Sequence, residues 1–250
     1  MKLALLSDIH ANLRALEACL AHAASQGVTH HALLGDLVGY GAEPGAVVER
    51  ARDLQSRGAW VLQGNHDALA VQPPAEVRQI GDSTAAWTHA QLDPGQRAYL
   101  AGLPLTHRSD SVLLVHASAD APSQWRYVQD ARSAALSLDA AAVHPAVRHV
   151  FGGHVHHQCL YYRGRDTGLM QFNPRPGVPV PLPRHRHWLA TVGSVGQPRD
   201  GNPMAMYAVF DAERLQLVFH RVPYDHPAAA RAIRRAGLPA FFADRLETGR

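Results

Sequence analysis

Lys2-Leu3-Ala4-Leu5-Leu6-Ser7-Asp8-Ile9-His10-Ala11-Asn12 opens the chain on an apolar run that breaks abruptly into polar residues. Lys2 to Ser7 reads as a short, fully buried strand. Asn12 is placed to cap a helix running to about Gln26, with Leu13, Leu16 and Leu20 on one face and Gly27 closing it. The same unit then recurs. His31 to Leu34 is a second strand running into Gly35-Asp36. Pro44 opens a helix whose stripe is Val47, Val48, Ala51 and Leu54, ended by Gly58. Trp60 to Leu62 is a third strand, ending at Gly64-Asn65-His66-Asp67. This β-α-β-α-β order predicts a parallel sheet covered by helices, an α/β fold.

Two helical stretches follow, Gly81 to Gln91 and Pro94 to Leu100, and then the pattern turns strand-rich. Strands are expected at Val112 to Val115, Arg148 to Phe151, Cys159 to Tyr162, His187 to Val192, Met204 to Phe210 and Leu215 to His220. A helix within Pro227 to Arg235 and a frayed tail close the chain. With no repeat and no long linker, residues 1–250 read as one domain with two stacked sheets. One segment breaks the rhythm. Residues 163–187 hold Pro174, Pro176, Pro179, Pro181 and Pro183 with Arg163, Arg165, Arg175, Arg184 and Arg186. They read as an inserted stretch of extended, polyproline-like backbone.

The 24 Lys and Arg against 21 Asp and Glu leave a net charge of only +3, which gives a nucleic-acid partner no support. The opening apolar run is too short for a signal-peptide core, and no stretch approaches the roughly 18 apolar residues of a membrane span. Cys19 and Cys159 lie outside any metal-binding spacing, so a reducing compartment, the cytoplasm, is expected. The uneven statistic is 17 histidines, which directs attention to ligand spacing.

That spacing is orderly. Asp8 and His10 follow the first strand, Asp36 the second, Asn65 and His66 the third, His116 the run from Val112, and His154 and His156 the run ending Gly152-Gly153. Carboxyl ends of strands in open α/β sheets converge on one crevice, so these residues can meet. Mixed carboxylate and imidazole donors without thiolate suit divalent manganese, iron, zinc or nickel rather than structural zinc. Seven ligands exceed one ion's needs but suit two ions sharing a carboxylate, for which Asp36 is the natural bridge.

Asp8-x-His10, Gly35-Asp36-x-x-Gly39, Gly64-Asn65-His66-Asp67, His116 and Gly153-His154-Val155-His156 resemble, in order, the five motifs of the calcineurin-like metallophosphoesterases. The likeness is to the small bacterial phosphodiesterase and phosphatase branch, and Gly193-Ser194-Val195-Gly196 is similar to a turn near the C-terminus of that branch. The resemblance implies a four-layer α-β-β-α sandwich with two mixed sheets. It implies one metal on Asp8, His10, Asp36 and His156, and another on Asp36, Asn65, His116 and His154, manganese first among the candidates. A hydroxide held by the two ions would then attack phosphorus. His66 would protonate the leaving group or bind a phosphate oxygen. Protein phosphatases of this superfamily carry an aspartate and an arginine where this chain has Gly39 and Tyr40, which deprives His66 of its orienting carboxylate.

Plainer readings stand beside these. Asp8 alone could cap a helix, and Asp36 alone could sit in a turn. Asn12 serves as an N-cap, with a phosphate contact as its functional alternative; Tyr40 either edges the substrate pocket or packs under the loop. Asp67 reads as a pin for the loop backbone. Arg175, Arg184 and Arg186 either overhang the metals and contact phosphate, or belong to a stiff solvated loop. The resulting expectation is hydrolysis of phosphomono- or phosphodiester bonds in a nucleotide-like small molecule. A Ser/Thr protein phosphatase or a nuclease is the enzymatic alternative, and a metal-site-bearing interaction module the non-enzymatic one. No oligomeric state is indicated.

Overall fold

Leu3 and Leu5 point to one side of the first strand, Ala4 and Leu6 to the other, and this alternation builds the layers. The computed structural model describes residues 1–78, 80–163 and 168–250; Arg165 lies outside them. The first elements are β1 (Lys2–Leu6), α1 (Leu13–Ser25), β2 (His30–Leu33), α2 (Pro44–Ser56) and β3 (Trp60–Val61). There follow α3 (Asn65–Val71), α4 (Ala85–Gln91), α5 (Pro94–Ala101), β4 (Thr106–Ser109), β5 (Val112–Val115), α6 (Ala131–Ala141) and β6 (His149–Gly152). The remainder comprises β7 (Gln158–Arg163), β8 (Leu169–Phe172), β9 (Val180–Pro181), β10 (His187–Val192), β11 (Ala205–Asp211), β12 (Gln216–Val222), α7 (His226–Arg235) and α8 (Ala240–Thr248).

The strands form two six-stranded sheets, ordered β3-β2-β1-β11-β12-β9 and β4-β5-β6-β10-β7-β8. β1, β2 and β3 run parallel, as their helical crossovers require, whereas β11, β12 and β9 join antiparallel. In the second sheet β5, β6 and β10 are parallel and the flanking strands antiparallel. Both sheets are therefore mixed. Three apolar cores separate four layers. Ala4, Leu6 and Tyr207 meet Leu16 and Val47 of the helices outside the first sheet. Leu3, Leu5 and Phe210 meet Leu114, Phe151 and Trp188 between the sheets. Val115 and Val150 meet Ala134 and Leu138 of α6 outside the second. Each fully buried Phe or Leu in these layers contributes about 1.5–3 kcal/mol over an exposed position. No helix among the described residues is long and apolar enough to cross a membrane.

Three expectations are corrected. The tail does not fray: α8 packs Phe242, Ala243 and Leu246 against α7 and Tyr40. Between β5 and β6, where no element was expected, Asp130 caps α6 by accepting from the Ser133 amide. The 163–187 segment is not all extended linker. β8 pairs with β7, and β9 pairs with β12 as an edge strand, where Pro181 costs no ladder bond.

Phe242 is fully buried and stacks on Tyr40 at 4.7 Å, whereas its neighbour Phe241 is 42% exposed. Phe242→Ala is expected to cost about 3–5 kcal/mol in denaturant unfolding, and Phe241→Ala far less.

Candidate metal centre

The loops after the parallel strands are tied to one another before any side chain is considered. The Asp8 amide donates to Gly35 O at 3.1 Å and the His10 amide to Asp36 O at 2.9 Å, joining the loops after β1 and β2. The Gly153 amide donates to His116 O at 2.8 Å, joining those after β5 and β6. The turn at Gly193–Gly196 closes the ring: Gly196 N–H and the Ser194 hydroxyl both donate to Asp8 O. Five of the seven candidate ligands, Asp8, His10, Asp36, His154 and His156, have positive φ. Non-glycine residues there cost on the order of 1 kcal/mol or more each, a strain that surrounding structure must hold in place. Gly153 allows a close approach, since a Cβ there would collide with Ser7 Oγ and Asp8 Oδ2.

The side chains gather into two buried groups, each able to hold one metal ion: Asp8, His10 and His156, and Asp36, His116 and His154. In the first, His156 Nε2 lies 3.2 Å from Asp8 Oδ1 and 3.1 Å from His10 Nε2. In the second, His116 Nε2 lies 3.4 Å from Asp36 Oδ2 and 3.2 Å from Asn65 Oδ1. Asp36 Oδ2 is also 3.8 Å from His10 Nε2, so its carboxylate stands between the groups.

The donor chemistry fits divalent cations. Nδ1 of His10, His116 and His156 faces the carbonyls of Val38, Leu34 and Gln197 at 3.2, 2.8 and 2.6 Å. A ring that donates from Nδ1 in its neutral form keeps a lone pair on Nε2. The 3.1 Å approach of His10 Nε2 to His156 Nε2 then sets two lone pairs face to face, which a cation between them relieves. Asp8 Oδ1 and His154 Nε2 are buried without a hydrogen-bond partner, the condition of atoms oriented toward an ion.

Electrostatics agree. Burial opposes the charged form of Asp36, but the adjacent imidazoles, His116 foremost, outweigh it and hold the carboxyl well below its usual range. Burial likewise opposes a charged Asp8, but the neighbouring His156, with His116 behind it, outweighs burial and holds this carboxyl low as well. Burial keeps His10 and His156 neutral and takes His154 down to about 4. His116 differs: burial pushes it down, yet the adjacent Asp36 carboxylate lifts it to about 9.

The other sequence candidates divide. His66 is buried beside the cluster, its amide donating to Asp36 Oδ1 at 2.7 Å and its ring 5.2 Å from that of His10. Gly39 has φ +87°, and a Cβ there would lie 2.9 Å from the His66 ring, so no aspartate fits. Asp67 binds the amides of Val38 and Gly64 at 3.1 and 2.8 Å, pinning two ligand loops together. Burial, with Asp36 adding to it, raises Asp67 to about 7. Asn12 is buried and caps α1, its amide nitrogen donating to Gly196 O and the Tyr224 hydroxyl, so no group is left to reach a phosphate. Tyr40 packs between His10, His66 and Phe242, and burial raises its hydroxyl to about 12.

Arg184 and Arg186 do not overhang the centre. They flank His149 and Tyr162, at the end of the second sheet opposite His154. The four residues of β6 lie between, roughly 13 Å at 3.3 Å each. Pro174 and Pro176, on either side of Arg175, line a separate cavity of about 490 Å³ with none of the seven ligand positions in its wall. Sequence reasoning passed over Arg199, whose guanidinium lies 5.9 Å from the Tyr40 ring and whose charge acts on His66 and His156. Its only signal was its place just beyond the Gly193–Gly196 turn. It also passed over Trp125 and Tyr127, which pack on His116 and His154.

With Asp36 lifting His116 to about 9 and burial taking His154 to about 4, a metal bound to both would displace a proton from His116 alone. Titration of Mn²⁺ at pH 7 is expected to release on the order of one proton, with apparent affinity rising with pH until about 9. Calorimetry in buffers of differing ionisation enthalpy measures the release, and His116→Gln should lower it by the share that His116 supplies.

The model of the calcineurin-like phosphoesterase superfamily domain matches residues 1–215. The uncharacterized protein MJ0912 of Methanocaldococcus jannaschii is 30% identical over 255 residues, 99% of this chain and 98% of its own. A metallophosphoesterase from Sphaerobacter thermophilus superposes with TM-score 0.87 at 33% identity, covering 100% of this chain and 99% of its own. The hypothetical protein PH1004 of Pyrococcus horikoshii shares the fold, with TM-score 0.76 at 21% identity over 100% of this chain and 98% of its own. The chain is therefore a calcineurin-like phosphoesterase, a member of a metal-dependent family that its buried Asp and His clusters suit.

Proposed function

We propose that the chain hydrolyses phosphomono- or phosphodiester bonds of a nucleotide-like small molecule at a centre of two divalent cations shared by Asp36. Manganese is the first candidate, and iron, zinc or nickel suit the same donors. The observation that carries this reading is the meeting of two buried His/Asp groups at one carboxylate, with Asp8 Oδ1 and His154 Nε2 left unpartnered. When bound, such cations acidify water and offset charge on the phosphoryl oxygens. The chain's own residues orient and select. Asp36 fixes the spacing of the groups, and Asn65 completes the second.

His66 is held neutral by burial and has no carboxylate partner, so it serves better as a hydrogen-bond donor to a phosphoryl oxygen than as a strong acid. Arg199, beyond it, supplies the positive charge that Tyr40 does not. A protein phosphatase fits less well without the aspartate and arginine pair, and a nuclease gains nothing from a net charge of +3. An interaction module would have no need to keep all seven ligand positions. Two buried free cysteines suit the cytoplasm.

Assay of a phosphoester panel with added Mn²⁺ tests the proposal. Asp36→Asn should lose at least about a thousandfold in kcat, and full activity there would sink it. His66→Gln should lose only about tenfold. Arg199→Ala should raise KM about tenfold with a smaller change in kcat.

A further inference from the structure

Beside the second ligand group a cavity of about 480 Å³ opens, lined by Asn65 and His154 of that group and by Trp125 and Tyr127. It lies within the roughly 300–1,000 Å³ span of small-molecule sites. The Tyr127 ring stacks on His154 at 4.1 Å and 24°, yet 52% of the residue is exposed. Trp125 stands edge-on to His116 at 5.8 Å, with a left-handed backbone (φ 52°) that a bulky side chain rarely adopts. Two aromatic rings are thus seated against two candidate metal ligands, and both line the cavity.

The lining chemistry narrows the occupant. Leu69 and Ala68 of α3 add apolar wall, and Gln72 adds an amide. Asp82 contributes a carboxylate, and no Lys or Arg lines the cavity among the described residues. A second phosphate is therefore disfavoured, while a flat, uncharged group with hydrogen-bonding edges suits both walls and rim. The arginine nearest the cluster, Arg199, lies on the other flank, over Tyr40.

We infer that this cavity receives the base of a nucleotide whose phosphoryl group lies at the metal centre, with Trp125 and Tyr127 as the residues that select it. The inference rests on the phosphoesterase reading for the placement of the phosphoryl group. Stacking on such a ring is worth about fivefold to a hundredfold in affinity per base.

Adenosine 5′-monophosphate and ribose 5-phosphate differ only in the base. Each is compared, as substrate or competitive inhibitor of the manganese-loaded protein. The unaltered protein should favour the nucleotide tenfold or more in KM or Ki. Trp125→Ala and Tyr127→Ala should each cut that preference to within twofold, and Trp125→Phe should retain it. No preference in the unaltered protein, or equal weakening of both ligands in the variants, would overturn the inference and assign these rings a structural role behind His116 and His154. Equilibrium dialysis of adenosine against the manganese-loaded protein needs no turnover. Saturable binding lost in Trp125→Ala supports the cavity even if every ester resists hydrolysis, and absence of binding overturns it even if esters are cleaved.

Discussion

Asp36 places a carboxylate 1% exposed at the meeting point of both sheets, and the rest of the site is arranged around that charge. Oδ1 accepts the His66 amide, and Oδ2 faces His116 at 3.4 Å and His10 at 3.8 Å. Burying an uncompensated carboxylate costs several kcal/mol, and neutral imidazoles offset little of it. Only His116 is held protonated by the field, one positive charge set against Asp8 and Asp36 together. A centre with two buried carboxylates and four imidazoles is therefore short of positive charge at neutral pH. The deficit lies where the unpartnered atoms are, which is why the arrangement reads as a cation site and not as a buried polar network.

Holding such a centre requires rigid supports, and the two sheets supply them. Ligands sit one to four residues beyond the last strand residue, so strand register fixes their depth, and left-handed backbone at five of them fixes their aim. A one-residue slip of β1 would exchange Leu3 and Leu5 for Ala4 and Leu6 at the inter-sheet core and carry Asp8 out of the cluster. The alternation that fills the cores is thus the same feature that positions the metal donors.

Legibility followed this logic. The strand-end motifs could be read because short apolar runs, glycines and caps mark each β-to-loop junction, and Asn12 caps α1 as its position implied. α3 was missed because Asn65-His66-Asp67 carries ligand spacing, with only Ala68, Leu69, Ala70 and Val71 left to show a period. α6 carried an audible signal, Asp130 three residues before Ser133, masked by the strand-rich surroundings. α8 is specified by a partner distant in sequence, since Phe242 finds its place only against Tyr40. The arginines of 163–187 misled because composition reports charge and stiffness but not which end of a sheet a loop crosses. Trp125 and Tyr127 lie in a stretch set by turns at Ala121 and Trp125, where no period exists to read.

Gln197 shows how far the centre reaches into the fold. Its carbonyl faces His156 Nδ1 at 2.6 Å, and its amide is held by Ser194 Oγ, which also donates to Asp8 O. Its side-chain oxygen accepts from Arg199 and from Arg245 of α8 at 2.9 and 3.4 Å. One residue therefore orients an imidazole through its backbone and gathers two guanidinium groups through its side chain. Cationic charge concentrates on the α8 flank of the candidate metal cluster, while the opposite flank presents Trp125 and Tyr127 and, among the described residues, no cation in its lining. The resulting polarity is a property of the scaffold, imposed on whatever enters. Any anionic group that enters is drawn toward Arg199, and any uncharged one is left the aromatic side.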